Sequence, residues 1–383
     1  MNDQEISDAV TQVLGSYGEA SAAAPTARQP TSWRASSPTR APSPQRKTVR
    51  NSCPAPSTAA GSVRRRKPTR SILWSTKRWR GRPWRQVLCR QGGSCAHKAT
   101  SGALDVSDEE ATTVGDGVFA TMDEAIAAAE QAQRQYLFCT MAARKLFTDG
   151  IREIFADPAM AERISRQTVE QTGMGNVEHK IIKNRLAAEK SPGIEDLTTD
   201  ALSGDGGLTL VEYSPFGVIG AITPTTNPME TIICNSIGML AAGNAAVFSP
   251  HPRATQVSLL AVKLINRKLA VLGAPANLVV TVQKPSIENT NAMMAYPKVR
   301  MLVATGGPGI VKTVMSTGKK AIGAGAGNPP VVVNETADIE KAAQDIINDC
   351  AFDNNLPCIS EKEVIAVNQI ADFLITCMQK CGG

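Results

Sequence analysis

The sequence predicts an α/β protein built on a parallel sheet. From Pro228 onward, helical patterns alternate with short apolar runs: PMETIICNSIGMLAAG precedes NAAVFS, and ATQVSLLAVKLINRKLAVLG precedes LVVTV. The strand-like runs are continuously apolar, which is typical of parallel strands that helices cover on both faces. Glycine-containing turns separate several of these segments and mark where strands end and helices begin.

The composition divides the chain into two parts. The 383 residues suffice for two ordinary domains. Of 41 Lys and Arg residues, 18 fall between Pro25 and Thr100, where Asp and Glu are absent, so the net charge of +6 describes neither part. No apolar run approaches the roughly 20 residues that span a bilayer. The nine cysteines are an odd number without a C-x-x-C pair. We therefore expect a cytoplasmic protein without a membrane segment.

Residues 1–20 are predicted to form a short amphipathic helix. Apolar side chains recur at helical spacing over residues 2–17, and Asn2 with Glu5 matches a capping box. Pro-, Ser- and Ala-rich sequence follows at once, so the helix has no adjacent domain that would bury its apolar stripe. Two interpretations stay open at this point, a frayed terminus and a segment that docks on a partner.

Residues 21–116 are predicted to be a disordered, basic, Arg/Pro/Ser-rich linker, because they show neither helical nor strand periodicity. Out-of-frame translation of GC-rich DNA produces acid-free sequence of this kind, and we rank that explanation first. A genuine basic linker ranks second. Nucleic-acid binding through the Arg and Trp residues ranks third.

Folded structure is predicted from Gly117. Thr121 and Glu124 match a capping box before an Ala-rich helix. Helical patterns continue to Lys190, with breaks at Asp157-Pro158 and at 173–175. Strand patterns follow the GDGG turn, and later VRMLVAT and PPVVVN predict strands, whereas GIVKTVMSTG and IEKAAQDIINDCAF predict helices.

The sequence around a few residues indicates that they could bind a ligand or take part in a reaction. The turns TGGPG and GAGAG follow strand-like runs, and a glycine turn that opens a helix can hold a phosphate on backbone N–H groups. Cys358 is predicted at the start of a strand after a polar loop, where a thiol is accessible. The three histidines are dispersed, so no zinc site is expected. Each feature alone is also compatible with a purely structural role.

The motifs QTGMGNVEHKIIKN, GDGGLTLVEYSPFGVIGAITPTTNP, LAAGNAAVFSPHP, TGGPGIV, GAGAGNPPVVVNETAD and FDNNLPC occur in one order. Together they resemble the CoA-acylating aldehyde dehydrogenases of bacterial microcompartments, with the propionaldehyde enzymes of propanediol utilisation first and the acetaldehyde enzymes of ethanolamine utilisation second. The resemblance implies an aldehyde dehydrogenase-like fold. It assigns residues 117–322 to an NAD-binding domain and residues 323–383 to a C-terminally truncated catalytic domain.

The resemblance also implies roles for individual residues. Cys358 would be the nucleophile, and Asn227 with the Cys358 N–H would bind the oxyanion. Residues implied to contact NAD are Thr223, Ser249, His251, Thr305, Gly306, Gly307 and Gly325. Ala324 stands where hydrolytic members of the wider superfamily have Glu, so CoA rather than water is the expected acceptor, and no metal is expected.

The resemblance implies CoA-dependent oxidation of a short-chain aldehyde with NAD inside a bacterial microcompartment. Propionaldehyde and acetaldehyde both stay open as substrates. Residues 2–17 would recruit the protein to shell or core partners, and a homo-oligomer is expected. The alternative is a truncated, non-catalytic remnant that the same helix recruits.

Overall fold

The computed structural model describes residues 106–383. The helix predicted at 2–17 and most of the basic segment lie outside the described residues. Ordered structure begins before the predicted boundary at Gly117: Ser107 caps a helical turn by accepting a hydrogen bond from Glu110 N at 3.2 Å. Arg163 donates to the Val106 carbonyl at 2.5 Å and to Asp108 at 2.9 Å. These contacts hold the acidic residues just before Gly117 on the folded domain.

Six parallel strands form the central sheet, which confirms the predicted fold class. They are β1 (Val118–Phe119), β4 (Val218–Thr223), β5 (Ala245–Pro250), β6 (Val279–Val282), β7 (Val299–Thr305) and β8 (Lys320–Ala324). Their order across the sheet is β1-β6-β5-β4-β7-β8. Every residue of β4, β5 and β6 is buried. Because successive strand residues point to opposite faces, helices must cover both faces of the sheet.

The helices surround this sheet. They are α1 (Asp108–Ala111), α2 (Met122–Tyr136), α3 (Met141–Ala156), α4 (Pro158–Thr172), α5 (Val177–Lys190), α6 (Pro228–Ala241), α7 (Thr255–Val271), α8 (Ile287–Ala295), α9 (Pro308–Met315), α10 (Ile339–Ala351) and α11 (Asn368–Lys380). The predicted Thr121–Glu124 capping box is present. Asp157 caps α4, and Gly173 ends it with a left-handed φ of 67°, so both predicted helix breaks are confirmed.

A smaller layer follows the central sheet. Strands β9 (Pro330–Val333) and β10 (Glu363–Ala366) pair in parallel, and α10 and α11 bury a second hydrophobic cluster against them. The predicted domain boundary at 322/323 falls inside β8, so the division into two domains stays a prediction. An antiparallel hairpin, β2 (Asp200–Gly204) with β3 (Gly207–Val211), is exposed along its length. Within residues 106–383, no helix is both long enough and apolar enough to cross a bilayer.

Candidate active site

A cavity of about 810 Å³ opens where β4, β5, β7 and β8 end. Open parallel sheets place ligands beyond the carboxyl ends of their strands, because the loops and helix N-termini gather there. The structure brings all nine predicted site residues to the lining of this cavity: Thr223, Asn227, Ser249, His251, Thr305, Gly306, Gly307, Gly325 and Cys358. Residues separated by more than a hundred positions therefore share one site.

Cys358 is exposed on a tight loop at the cavity. The predicted position at the start of a strand is wrong, because β10 begins only at Glu363. Asp353, Asn354 and Asn355 precede the cysteine with φ of 49°, 55° and 58°. Asp and Asn tolerate this left-handed region better than other side-chain-bearing residues do. The DNN sequence thus forms a turn that leads from α10 to the thiol.

Two further residues fix this loop: Lys362, which sequence reasoning missed, and Gly327, which it assigned only to a glycine-rich turn. Lys362 donates to the carbonyls of Pro357 at 3.0 Å and of Asn355 and Ser360 at 3.3 Å. Gly327 lies against the cysteine itself, since a Cβ at this position would stand 2.2 Å from the Cys358 carbonyl oxygen. Only glycine permits such a close backbone approach.

Asn227 precedes α6, and its backbone carbonyl accepts a hydrogen bond from Thr231 Oγ1 at 2.7 Å. The side-chain Oδ1 accepts a hydrogen bond from Lys183 Nζ at 2.5 Å. The Nδ2 group donates a hydrogen bond to Thr226 Oγ1 at 3.3 Å. The amide is therefore attached to the protein interior through its oxygen.

A cluster of buried charges lies behind Asn227, and sequence reasoning missed it as well. We call it the charge cluster: Lys180 and Lys183 of α5, Glu230 of α6 and Asp353 of the cysteine loop. Asp353 Oδ2 pairs with Lys183 and, at 3.1 Å, with Lys180. Glu230 Oε1 lies 3.2 Å from Lys183 Nζ without hydrogen-bond geometry. Burial lowers the pKa of Lys180, which the Glu230 and Asp353 carboxylates oppose.

Other residues of the cavity lining have features that suit a dinucleotide. Gly307 begins α9 without a side-chain cap, so no side chain competes for the backbone N–H groups of the first turn. Thr223 Oγ1 is buried, and among the described residues it has no hydrogen-bond partner. Buried hydroxyls are normally paired, so this one is available to a bound ligand. The residues present therefore fit a dinucleotide.

Ser249 and His251 also line the cavity. Ser249 Oγ lies 2.7 Å from Thr290 Oγ1, so the two hydroxyls share a hydrogen bond. His251 Nδ1 accepts a hydrogen bond from Arg253 N at 3.2 Å. Burial, and then the Arg253 charge, lower the pKa of His251. A neutral imidazole is the result at neutral pH.

Cys139, Cys234 and His179 lie in environments that favour a structural role. Burial raises the pKa of the Cys234 and Cys139 thiols, which disfavours their reactive thiolates. His179 stacks on Phe352 with ring centroids 4.6 Å apart and accepts a hydrogen bond from Asp353 N at 2.8 Å. Over residues 106–383, no group of three or more His, Cys, Asp or Glu side chains is placed to hold a metal ion.

Comparison with known proteins identifies relatives of this site. The model of the aldehyde dehydrogenase family matches residues 103–381. The propanal dehydrogenase (CoA-propanoylating) of Citrobacter freundii is 52% identical over 71% of this chain and 59% of its own length. A crystal structure of Rhodopseudomonas palustris propionaldehyde dehydrogenase, with bound CoA and an acylated cysteine, has 75% identity and a TM-score of 0.68 over 70% of this chain and 61% of that one.

A third relative is the propionaldehyde dehydrogenase from the fucose utilisation bacterial microcompartment of Clostridium phytofermentans. It shows 55% identity and a TM-score of 0.67 over 70% of this chain and 61% of that chain. The chain thus spans about three fifths of the length of the relatives it matches. Because the family model matches well over half of the sequence, the chain belongs to the aldehyde dehydrogenase family.

Proposed function

We propose that this protein oxidises a short-chain aldehyde to an acyl-CoA, with NAD as oxidant and Cys358 as nucleophile. The observation that supports this most is the single cavity that gathers Cys358, Asn227 and the dinucleotide-binding residues. Three relatives whose names specify CoA-propanoylating or propionaldehyde dehydrogenase activity support the same reaction. They also favour an enzyme over a non-catalytic remnant.

In this proposal the Cys358 thiolate attacks the aldehyde carbon and forms a thiohemiacetal. The carbonyl oxygen becomes an oxyanion, which Asn227 Nδ2 and the Cys358 N–H stabilise by donating hydrogen bonds. NAD, when bound, would be the hydride acceptor, and loss of the hydride would convert this adduct into a thioester. The CoA thiolate then attacks the thioester carbon, Cys358 leaves as a thiolate, and acyl-CoA is released.

The cavity lining supports a thiol rather than water as the acyl acceptor. Ala324 lies in the lining, where hydrolytic relatives have Glu. Among the described residues, the titratable side chains of the lining are Cys358, His251 and Lys362, so a carboxylate base is absent from this set. A CoA thiol needs no strong base near neutral pH, whereas water does.

Propionaldehyde is the proposed preferred substrate, because the three relatives act on propanal by name. The amphipathic pattern of residues 2–17 supports recruitment to the lumen of a microcompartment through shell or core proteins. That segment lies outside the described residues, and homo-oligomerisation stays a prediction.

The proposal is tested by NADH formation from propionaldehyde and NAD with the purified 383-residue chain. We expect NADH to accumulate in many turnovers with CoA and to stop after one turnover per chain without it, because the thioester then has no acceptor. Propionyl-CoA should appear in step with NADH. Sustained turnover without CoA would contradict the proposal and indicate hydrolysis, and no turnover from folded protein would favour the non-catalytic alternative. Acetaldehyde serves as the comparison substrate.

A further inference from the structure

The two ends of the Asn227 side-chain amide differ chemically, so its orientation matters. Its oxygen only accepts hydrogen bonds and its nitrogen only donates them. An oxyanion needs a donor, and therefore the nitrogen must face the cavity. An asparagine without a fixed partner can rotate its amide and present the wrong end.

Lys183 resolves this ambiguity. An ammonium group only donates, so its 2.5 Å contact can be made only with the amide oxygen. Asn227 lines the cavity, whereas Lys183 is buried behind it and does not. The oxygen consequently faces the interior. One Nδ2 hydrogen is bonded to Thr226 Oγ1, and the other N–H is left for the cavity.

Asp353 connects this orientation to the nucleophile. Its Oδ2 pairs with Lys183, and its Oδ1 accepts a hydrogen bond from Asn176 N at 2.9 Å. Asp353 itself is the first residue of the left-handed turn that ends at Asn355, three residues before Cys358. One carboxylate therefore ties α5 to the cysteine loop, and through Lys183 it links the loop to Asn227. The two oxyanion donors come from separate segments, and this ion pair joins them.

The charge balance of the cluster agrees with a positioning role. Its four formal charges cancel, and Lys180 and Asp353 are fully buried. Burying ions is costly, and well-packed apolar side chains often give equal or greater stability. A role beyond stability therefore accounts for the cluster better than folding alone does.

We propose that Lys183 and Asp353 are positioning residues of the oxyanion site: Lys183 orients the Asn227 amide, and Asp353 fixes Lys183 relative to the cysteine loop. This inference rests on the proposed function only in assigning Cys358 and Asn227 to acyl chemistry. It assigns no contact with substrate to either residue.

The test compares two reactions of Cys358 in the full chain. Acylation by p-nitrophenyl propionate passes through an oxyanion, whereas alkylation by iodoacetamide does not. Both rates are measured at Cys358 by mass spectrometry of its peptide, and neither reaction needs NAD or CoA. We expect Lys183→Met to lower the acylation rate by about 30-fold, less than the 100- to 1,000-fold typical for loss of a whole donor. Alkylation should change by less than about threefold, because the thiol itself is untouched.

A double-mutant cycle identifies the route of the effect. In an Asn227→Ala background, Lys183→Met should lower acylation by less than about twofold, since the group it orients is gone. Lys183→Gln, whose amide keeps a donor, should recover part of the lost rate. Lys180→Met is the comparison variant: it removes the other cation from Asp353, and the hydrogen bond of Lys180 Nζ to the Thr226 carbonyl at 2.9 Å, but leaves the Lys183–Asn227 contact. Its acylation loss should be clearly smaller.

Several outcomes would overturn the proposal. These are equal losses of acylation and alkylation, an unchanged Lys183→Met effect in the Asn227→Ala background, and p-nitrophenolate release from p-nitrophenyl propionate that is no faster with the unmutated chain than with Cys358→Ala. If Lys183→Met does not fold, the charge-balanced pair Lys183→Met with Asp353→Asn replaces it, with the same expected split. Failure of CoA-dependent oxidation alongside the expected acylation pattern would refute only the proposed function.

Discussion

Replacing Cys358 by alanine is expected to abolish CoA-dependent NADH formation. The side chain is exposed at the cavity, so its loss leaves the packing of the fold intact. Without the thiolate no thiohemiacetal forms, and loss of a covalent nucleophile typically lowers kcat by about four orders of magnitude or more. Initial rates of NADH formation with propionaldehyde, NAD and CoA measure the effect.

Cys350→Ala is the matched control for this variant. Cys350 lies at the end of α10, eight residues before Cys358, and its thiol donates a hydrogen bond to the Ile347 carbonyl at 3.5 Å. Its replacement should leave the rate within about twofold, as is usual for a change away from the chemistry. Residual turnover of more than a few per cent in a folded Cys358→Ala variant would assign the nucleophile elsewhere.

The Asn227→Ala variant is expected to show the second largest effect. It removes one of the two donors to the oxyanion, and such a loss typically lowers kcat by about 100- to 1,000-fold. The KM for aldehyde should change little, because the interaction strengthens only as negative charge develops on the oxygen. Steady-state kinetics with varied propionaldehyde separates the two parameters.

Asn289→Ala provides the corresponding control. Asn289 belongs to α8, and its amide donates to the Lys284 carbonyl at 2.8 Å, outside the cavity lining. This variant should retain the kcat of the unmutated chain. A kcat for Asn227→Ala within about threefold of that value would remove Asn227 from the oxyanion site, since a lost donor costs far more.

The central elements of the fold follow from local patterns. β4, β5 and β6 are mainly apolar and fully buried, and most of the helices around them show periodicity and caps. Strands of this kind can be predicted reliably, because a strand that is buried on both faces appears in the sequence as an unbroken apolar run. Helices α8 and α11 were missed; the pattern of α8 is weak, whereas α11 is as amphipathic as the predicted helices.

β8 illustrates why local glycine signals mislead. The segment KAIGA leads into GAGAG, whose glycines predict a turn, yet Gly323 is part of a paired strand. A Cβ at Gly323 would stand 2.6 Å from Val311 Cγ1, so glycine is required there for α9 to pack closely on the strand. The reason is a tertiary contact, which the local sequence does not show.

The candidate site also has a part that the sequence predicted and a part that it did not. Motif resemblance supplied the residues that line the cavity, whereas the charge cluster behind them was missed. Lys183 and Asp353 are 170 positions apart, and no local rule pairs them. The only sequence signal was the spacing of Lys180 and Lys183, which places two cations on one face of α5, the face that the structure buries.

The central claim is that the acyl group passes through a thioester on Cys358. The most direct test mixes the 383-residue chain with propionaldehyde and NAD without CoA, then determines the mass of the chain and of its Cys358 peptide. The account predicts one added propionyl group per chain, located on Cys358 and lost when CoA is supplied. NADH formation with no propionyl adduct, or an adduct on another cysteine that CoA discharges, would contradict it.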